Sequence, residues 1–436
     1  MPARLAVIGG GAAGLAAAYY ALRAGLEVSV LEASPRFGGK IFSLVGDGFV
    51  VESGPDSLPA TPEVLELAGE LGLEPLSPQP SPNPLYLVHR GQTLALPDVP
   101  PAQLPWAIGP LLSPAGRLRL ALERLVGKPA EADEGLEPLI RRRFGDQAWA
   151  LLARPFSHAV YGAPPEDLSV RSAFAALWHH EPEPSTPPAG PVSFAGGMGS
   201  WVNALLRCLA GKVQGGVWLE VVAISREGEV WQVYTPRGKL EAEAVILATS
   251  AQRAARILRP IYPQATALLN QVPTLSVATV SLAFHEEGLP PLPGHQVILD
   301  ESYQAESFLW ASRRWPGRAP EGFQLVRVNW AGERARLGDA DLTRLSQIEL
   351  ERFGGGRRMP KPLASWPFRL GTIPVYRVGH GRRVEAIESA MDRMPGVFTA
   401  GLGLKGLSLA DSLREGRRAV GRVLNYLALL PNPSSS

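Results

Sequence analysis

The chain has 436 residues, 45% hydrophobic and 19% charged, and its 43 lysines and arginines against 41 acidic residues leave a formal net charge of +2. That balance suits a soluble globular protein of two or three domains and offers no concentrated basic patch for nucleic acid. Cys208 is the single cysteine, which excludes an intrachain disulfide or a cysteine metal cluster, and the seven histidines lack zinc-ligand spacing. No metal is expected.

Residues 5–8 (LAVI) read as a short buried strand that starts within about five residues of Met1, so no signal peptide is expected. No apolar run reaches the roughly 18 residues of a spanning helix, and the expectation is a cytoplasmic protein. Gly9, Gly10, Gly11, Ala12, Ala13 and Gly14 then satisfy G-x-G-x-x-G, Leu15 to Ala24 continue as an alanine-rich helix, and Glu27 to Leu31 form a second strand ending at Glu32. The glycines of such a βαβ unit serve different ends. Gly9 makes the tight turn, Gly11 admits a pyrophosphate to the backbone, and Gly14 lets helix and strand approach. The helix start offers free N–H groups and partial positive charge to an anion. Glu32, followed by Ala33, is placed to accept hydrogen bonds from a ribose diol. The reading is dinucleotide binding.

A second device follows in Ser34-Pro35-Arg36-Phe37-Gly38-Gly39-Lys40. A simple NAD-binding unit needs no further glycine pair here. The stretch resembles the FAD-containing amine oxidase superfamily, whose motif runs from the ribose acid through a glycine pair to a basic residue. The resemblance implies that Gly38 and Gly39 pass beside the flavin, that Lys40 lies near its polar edge, and that one FAD molecule spans the distance between the two devices. It also implies a second flavin loop at Gly54, Pro55, Asp56 and Ser57, and places Val221 against the adenine, with a plain buried strand valine as the competing reading of that residue.

The resemblance implies an α/β fold: a Rossmann-type FAD-binding domain (residues 1–78, 191–264 and 393–436), an inserted mixed-sheet substrate domain (79–95 and 265–392) and a helical domain (96–190). Strands are expected at Val217–Ile224, Val230–Thr235, Glu241–Thr249, Ser276–Phe284 and Phe323–Trp330, and a helix at Trp201–Leu209. In the helical region the apolar stretch Leu104–Leu112 precedes an expected amphipathic helix over Gly116–Leu125, leucines on one face and arginines on the other. Packing on a core and lying on a membrane surface both remain open for it. His179 and His180 read as surface residues and the tail Pro431–Ser436 as disordered.

Several stretches are similar to one branch of the superfamily, the protoporphyrinogen oxidases and their coproporphyrinogen-oxidising relatives. Pro374 to His380 (PVYRVGH), eight residues after Trp366, resembles a P-Q-Y-x-x-G-H signature with Val375 in place of glutamine. Thr399 to Val420 resembles the C-terminal flavin segment, with Ala410-Asp411-Ser412-Leu413 where the family has P-D-C-I. Arg141–Phe174 and Trp310–Gly322 fit too, whereas Leu292–Ile298 matches the substrate-covering loop loosely, and Asn83–Leu87 lacks the arginine some members carry. In the C-terminal segment Gly401, Gly403 and Gly406 keep the backbone low, and the amides of Leu407, Ser408 and Leu409 would point at the flavin edge where reduction places charge.

The resemblance implies non-covalent FAD, a porphyrinogen substrate and molecular oxygen. Six electrons leave in three flavin rounds, giving hydrogen peroxide, as protoporphyrinogen IX becomes protoporphyrin IX; coproporphyrinogen III is the alternative. No dedicated acid or base is expected, His380 being equally readable as structural, while Trp366 and Tyr376 are expected near flavin or substrate. Arg141, Arg171, Arg313 and Arg314 are candidate partners for propionates, with a solvated surface arginine as the competing reading of each. Peripheral membrane contact and a homodimer stay open. A flavin amine oxidase and a non-catalytic binding protein are the remote alternatives, the latter distinguished by failure to take up FAD.

Overall fold

The computed structural model describes residues 2–81, 85–96, 108, 111–123, 133–161 (without the side chains of 158–161), 168–173, 190–287, 289, 294–356, 358–401 and 403–430. Most of the apolar stretch 104–112, the His179–His180 pair, Asn83, Pro84, Leu292, Pro293 and the tail 431–436 lie outside them.

A five-stranded parallel sheet forms around the N-terminus, in the order Val397–Thr399, Ala244–Leu247, Arg4–Ile8, Glu27–Leu31, Gln214–Gly216. Strand Arg4–Ile8 alternates its apolar side chains between two cores, as the period of two requires. Leu5 and Val7 join Leu15, Trp201, Leu205 and Val420 on one face. Ala6 and Ile8 join Val221, Trp231, Ile257 and Ile387 on the other. The helix Ala12–Arg23 is rich in alanine, and small side chains let it lie close against the C-terminal helix Leu409–Leu427, where Gly416 faces the Ala13 carbonyl.

A seven-stranded mixed sheet stands beside it, in the order Ala364–Pro374, Thr274–His285, Phe323–Ala331, Ser307–Trp310, Gln296–Ile298, Leu85–His89, Gln92–Leu96. Its one parallel pair joins Gln296–Ile298 to Leu85–Leu87. Valines and aromatics dominate the central strands, residue types that suit a half-buried pleated surface, and Val280, Phe284, Phe308, Val328 and Trp330 build its core.

Three expected elements differ. Glu241–Thr249 is two strands: Gly238–Ala242 ends an antiparallel meander and Ala244–Leu247 enters the parallel sheet. The switch falls at Glu243, whose carboxylate is held by Arg4 at 2.7 Å. Of Val217–Ile224 only Ala223 and Ile224 are strand, because Trp218 at φ 59° turns the chain between Gln214–Gly216 and Ala223–Glu227. The helix expected at 116–125 runs over Pro114–Ala121, with Ser113 as its cap. Its leucines do not share a face, since Leu120 is buried while Leu118 and Leu122, one turn apart, are exposed.

Candidate functional site: a cavity between two sheets

A 560 Å³ cavity opens at the C-terminal end of the parallel sheet, where α/β folds bind ligands, and extends to the first strands of the mixed sheet. Of the residues singled out from the sequence, Gly9, Gly11, Ala12, Ala13, Glu32, Ala33, Gly38, Gly39, Lys40, Gly54, Pro55, Ser57, Val221, Gly401, Leu407, Ser408 and Leu409 line it. Gly10, Gly14, Asp56 and Trp366 stand behind its walls.

The glycine turn is built by short-range sterics. Gly9 has φ +110°, a conformation that L side chains rarely adopt, and a Cβ on Gly14 would overlap the Gly9 carbonyl oxygen. Gly11 is the opposite case: a Cβ there would meet nothing within 4 Å, so open cavity lies directly over the helix start. Glu32 closes the turn from the next strand, accepting N–H bonds from Gly10 and Ser34 at 2.7 Å each. Gly10 packs beneath Phe37, which is why it stays out of the cavity.

The second glycine pair does not lie a cofactor's length away. Gly38 donates its N–H to the Gly10 carbonyl at 2.8 Å, and a Cβ on Gly39 would sit 3.2 Å from Gly11 Cα. The two devices are one wall, folded back on itself. Lys40 follows on that wall, exposed to the cavity, and the protein crowded around it lowers its pKa by partial desolvation of the ammonium.

Beyond Lys40 the chain returns as the loop 53–57. Gly54, Pro55 and Ser57 face the cavity, but Asp56 points backwards, where Trp315 Nε1 donates to it at 2.8 Å and Arg314 and Arg327 stand 3.5 and 3.9 Å away. Burial would raise this carboxyl, yet the two guanidinium groups and the Trp315 and Ser57 hydrogen bonds win and bring it down to about 2. Glu52, four residues earlier, is also buried. It accepts from Ser43 Oγ at 2.6 Å and Met198 N–H at 2.8 Å, with Arg318 at 3.4 Å. Here burial prevails and pushes the carboxyl up, the arginine and hydrogen bonds offsetting only part.

The C-terminal wall carries a capping box. Ser408 Oγ accepts from Asp411 N–H at 3.0 Å, and Asp411 Oδ2 accepts from Ser408 N–H at 3.1 Å. The Ser408 amide, expected from the sequence to face a ligand, is therefore already engaged, while the first-turn amides of Leu409 and Ala410 have no intrahelical acceptor.

His380 caps the motif segment from a buried position and does not line the cavity. Its Nε2 lies 2.9 Å from the Leu404 carbonyl, which can only accept, so the proton sits on Nε2. Its ring stacks on Tyr376 at 4.0 Å, and desolvation lowers its pKa. Trp366 packs on Phe49, 5.6 Å between ring centroids. Arg314 is committed to Asp56, and Arg141 to Glu137 and Asp146. Sequence reasoning expected strands such as Ser276–Phe284 in one wall of the cavity but did not single out the residues that line it there, Thr274, Val277, Leu370, Thr372 and Ile373, nor the turn Thr249–Arg253. The turn did carry a signal, for Ser250 stands where a strand gives way to a helix and caps it.

A family model described as flavin containing amine oxidoreductase matches residues 12–424. The chain is 29% identical over 494 residues to a coproporphyrinogen III oxidase of Propionibacterium freudenreichii subsp. freudenreichii, covering 99% of this chain and 92% of that protein. It is 27% identical over 476 residues to protoporphyrinogen oxidase 1, chloroplastic, of Spinacia oleracea, covering 97% and 84%. A solved chain from Exiguobacterium sp. 255-15, provisionally named a protoporphyrinogen oxidase, superposes with TM-score 0.84 at 24% identity, covering 98% of this chain and 99% of that one. At that identity the superposition speaks for the fold alone.

Proposed function

The chain belongs to the flavin containing amine oxidoreductase family, and from that premise we propose that it binds FAD non-covalently and oxidises protoporphyrinogen IX to protoporphyrin IX with oxygen as acceptor. The carrying observation is a single cavity that runs from the glycine turn and Glu32 to an apolar wall of the mixed sheet, in a chain that aligns almost end to end with porphyrinogen oxidases. Gly11, over which the cavity stands open, fits a pyrophosphate.

In this reading the glycine turn and helix start hold the pyrophosphate, Glu32 the ribose, and Val221 with Leu219 the adenine. Gly54–Ser57 and the segment Gly401–Leu409 hold the isoalloxazine. Bound FAD supplies two-electron acceptance and reoxidation by oxygen, so a six-electron substrate needs three rounds. Val277, Leu370 and Thr372 offer shape and dryness to a macrocycle, so the protein's contribution is orientation. Cys208 does not line the cavity, which supports non-covalent binding.

Coproporphyrinogen III is the second reading, favoured by relatives of that name at 29% and 27% identity. Among the described residues no helix is long and apolar enough to cross a membrane. Exposed Leu118 and Leu122 support peripheral contact, which liposome co-sedimentation would test.

The deciding experiment is aerobic turnover with each porphyrinogen in parallel, read by porphyrin fluorescence against an enzyme-free control, after acid release has identified the flavin. Bound FAD with fast protoporphyrin formation is expected. Bound FAD with neither porphyrinogen oxidised would overturn the substrate and leave the family.

A further inference from the structure

Asp56 and the residues around it are absorbed by no step of this reaction, yet they form a buried charged cluster directly behind the cavity wall. Three acceptors of the loop 53–56, the Ser53 and Gly54 carbonyls and the Asp56 carboxylate, are met by donors from the mixed sheet or the turn attached to it. Thr279 Oγ1 donates to the Ser53 carbonyl at 2.8 Å, and Arg327 Nη1 to the Gly54 carbonyl at 2.7 Å. Trp315 Nε1 and the Arg314 and Arg327 guanidinium groups surround the Asp56 carboxylate. One turn further on, Arg318 meets Glu52. The face of the loop that looks into the cavity is thus Gly54, Pro55 and Ser57, and the face behind it is polar and held by groups of another sheet.

We propose that Arg327 and Asp56, with Arg314, Trp315 and Thr279, form a clamp by which the substrate-side sheet sets the shape of the Gly54–Ser57 loop against the flavin. This rests on the FAD reading above. Arg327 and Asp56 are positioning residues: they act through the Gly54 carbonyl and the loop backbone, since a buried charge left without its partner would drag the loop with it. A corollary concerns specificity. Arg314 and Arg327 lie on the substrate side of the molecule, where an arginine would be read as a carboxylate partner, but their guanidinium groups are spent on Asp56 and Gly54. Substrate carboxylates must be met elsewhere.

The test uses the full-length protein stripped of flavin and titrated with FAD, with the absorption spectrum of the bound flavin recorded alongside. Arg327→Met is expected to weaken FAD binding by about tenfold or more, the loss of one charged hydrogen bond, and to shift the flavin bands. Arg327→Lys, which can still reach the Gly54 carbonyl, should recover part of both. Arg336→Met, at an exposed pair with Glu333, is the control and should change neither. Asp56→Asn should resemble Arg327→Met; if it does not fold, the Arg327 series decides alone. Wild-type FAD affinity and spectrum in folded Arg327→Met would overturn the clamp. So would a raised porphyrinogen KM with FAD binding unchanged, which would return these arginines to the substrate. Failure of the unsubstituted chain to take up FAD would instead bring down the function reading, and the clamp with it.

Discussion

The two walls of the cavity are made of different material. The wall proposed for the nucleotide is backbone: Gly9, Gly11, Gly38 and Gly39, a helix start and one carboxylate. The facing wall is side chain: Thr274, Val277, Leu370, Thr372 and Ile373 on two long strands. A backbone wall recognises by fixed amides and cannot change without breaking its turn. A side-chain wall recognises by volume and can be reshaped one residue at a time. Cofactor binding should therefore be brittle to substitution, and substrate binding gradual.

The hardest test of that contrast lies within one turn. Gly14→Val would drive carbon into the Gly9 carbonyl and should destabilise the flavin-free protein by roughly 3 kcal/mol or more, read from its denaturation midpoint. A stable Gly14→Val protein would show that the turn has slack. Next comes the ion cluster behind the loop. The Asp56 carboxyl is depressed to about 2 when folded, against roughly 3.9 in an unfolded chain. It contributes about 2.5 kcal/mol of stability above about pH 4, lost as pH falls towards 2. The stability gap between wild type and Asp56→Asn should close over that window; a constant gap would mean that Asp56 is not held as a buried anion.

Gly11→Val sharpens the comparison from the other side. Its Cβ meets no protein atom, so flavin-free stability should hold within about 0.5 kcal/mol while FAD affinity falls at least about tenfold. Unchanged affinity would move the pyrophosphate away from the helix start. The smallest effect belongs to the side-chain wall. Leu370→Ala should raise porphyrinogen KM a few-fold, about 1 kcal/mol of apolar contact, with FAD affinity unaltered. A loss of FAD instead would erase the distinction between the walls.

The same contrast explains what could be read from the chain. A βαβ turn is local, so Gly9 through Glu32 were legible from spacing alone, and the other lining residues anticipated, Gly403 and Gly406 included, lie mostly in glycine-rich segments. Trp366 was not placed correctly beside the cavity. It shares a strand with Leu370, but four residues of strand carry the chain roughly 13 Å, and Trp366 ends against Phe49. The register shift at Val277/Ala278, opposite Arg369 and Gly371, decides which residues of that strand meet the cavity, and no periodicity in the sequence announces it. Ser408 failed for a subtler reason: the motif located its amide, but Asp411 three residues on had already claimed it. The contact between the two glycine devices was hidden because it needs Phe37 to fold over Gly10.

The parallel sheet takes its edge strand from Val397–Thr399, and the cavity its last wall from the helix that begins at Leu409. Strands from opposite ends of the chain are two places apart in the sheet. During synthesis the glycine turn is therefore made long before the segment 397–427 that completes its sheet and cavity. In the proposed reading flavin capture needs both segments, and a chain lacking 397–427 would carry the whole dinucleotide fingerprint without the last wall of its cavity.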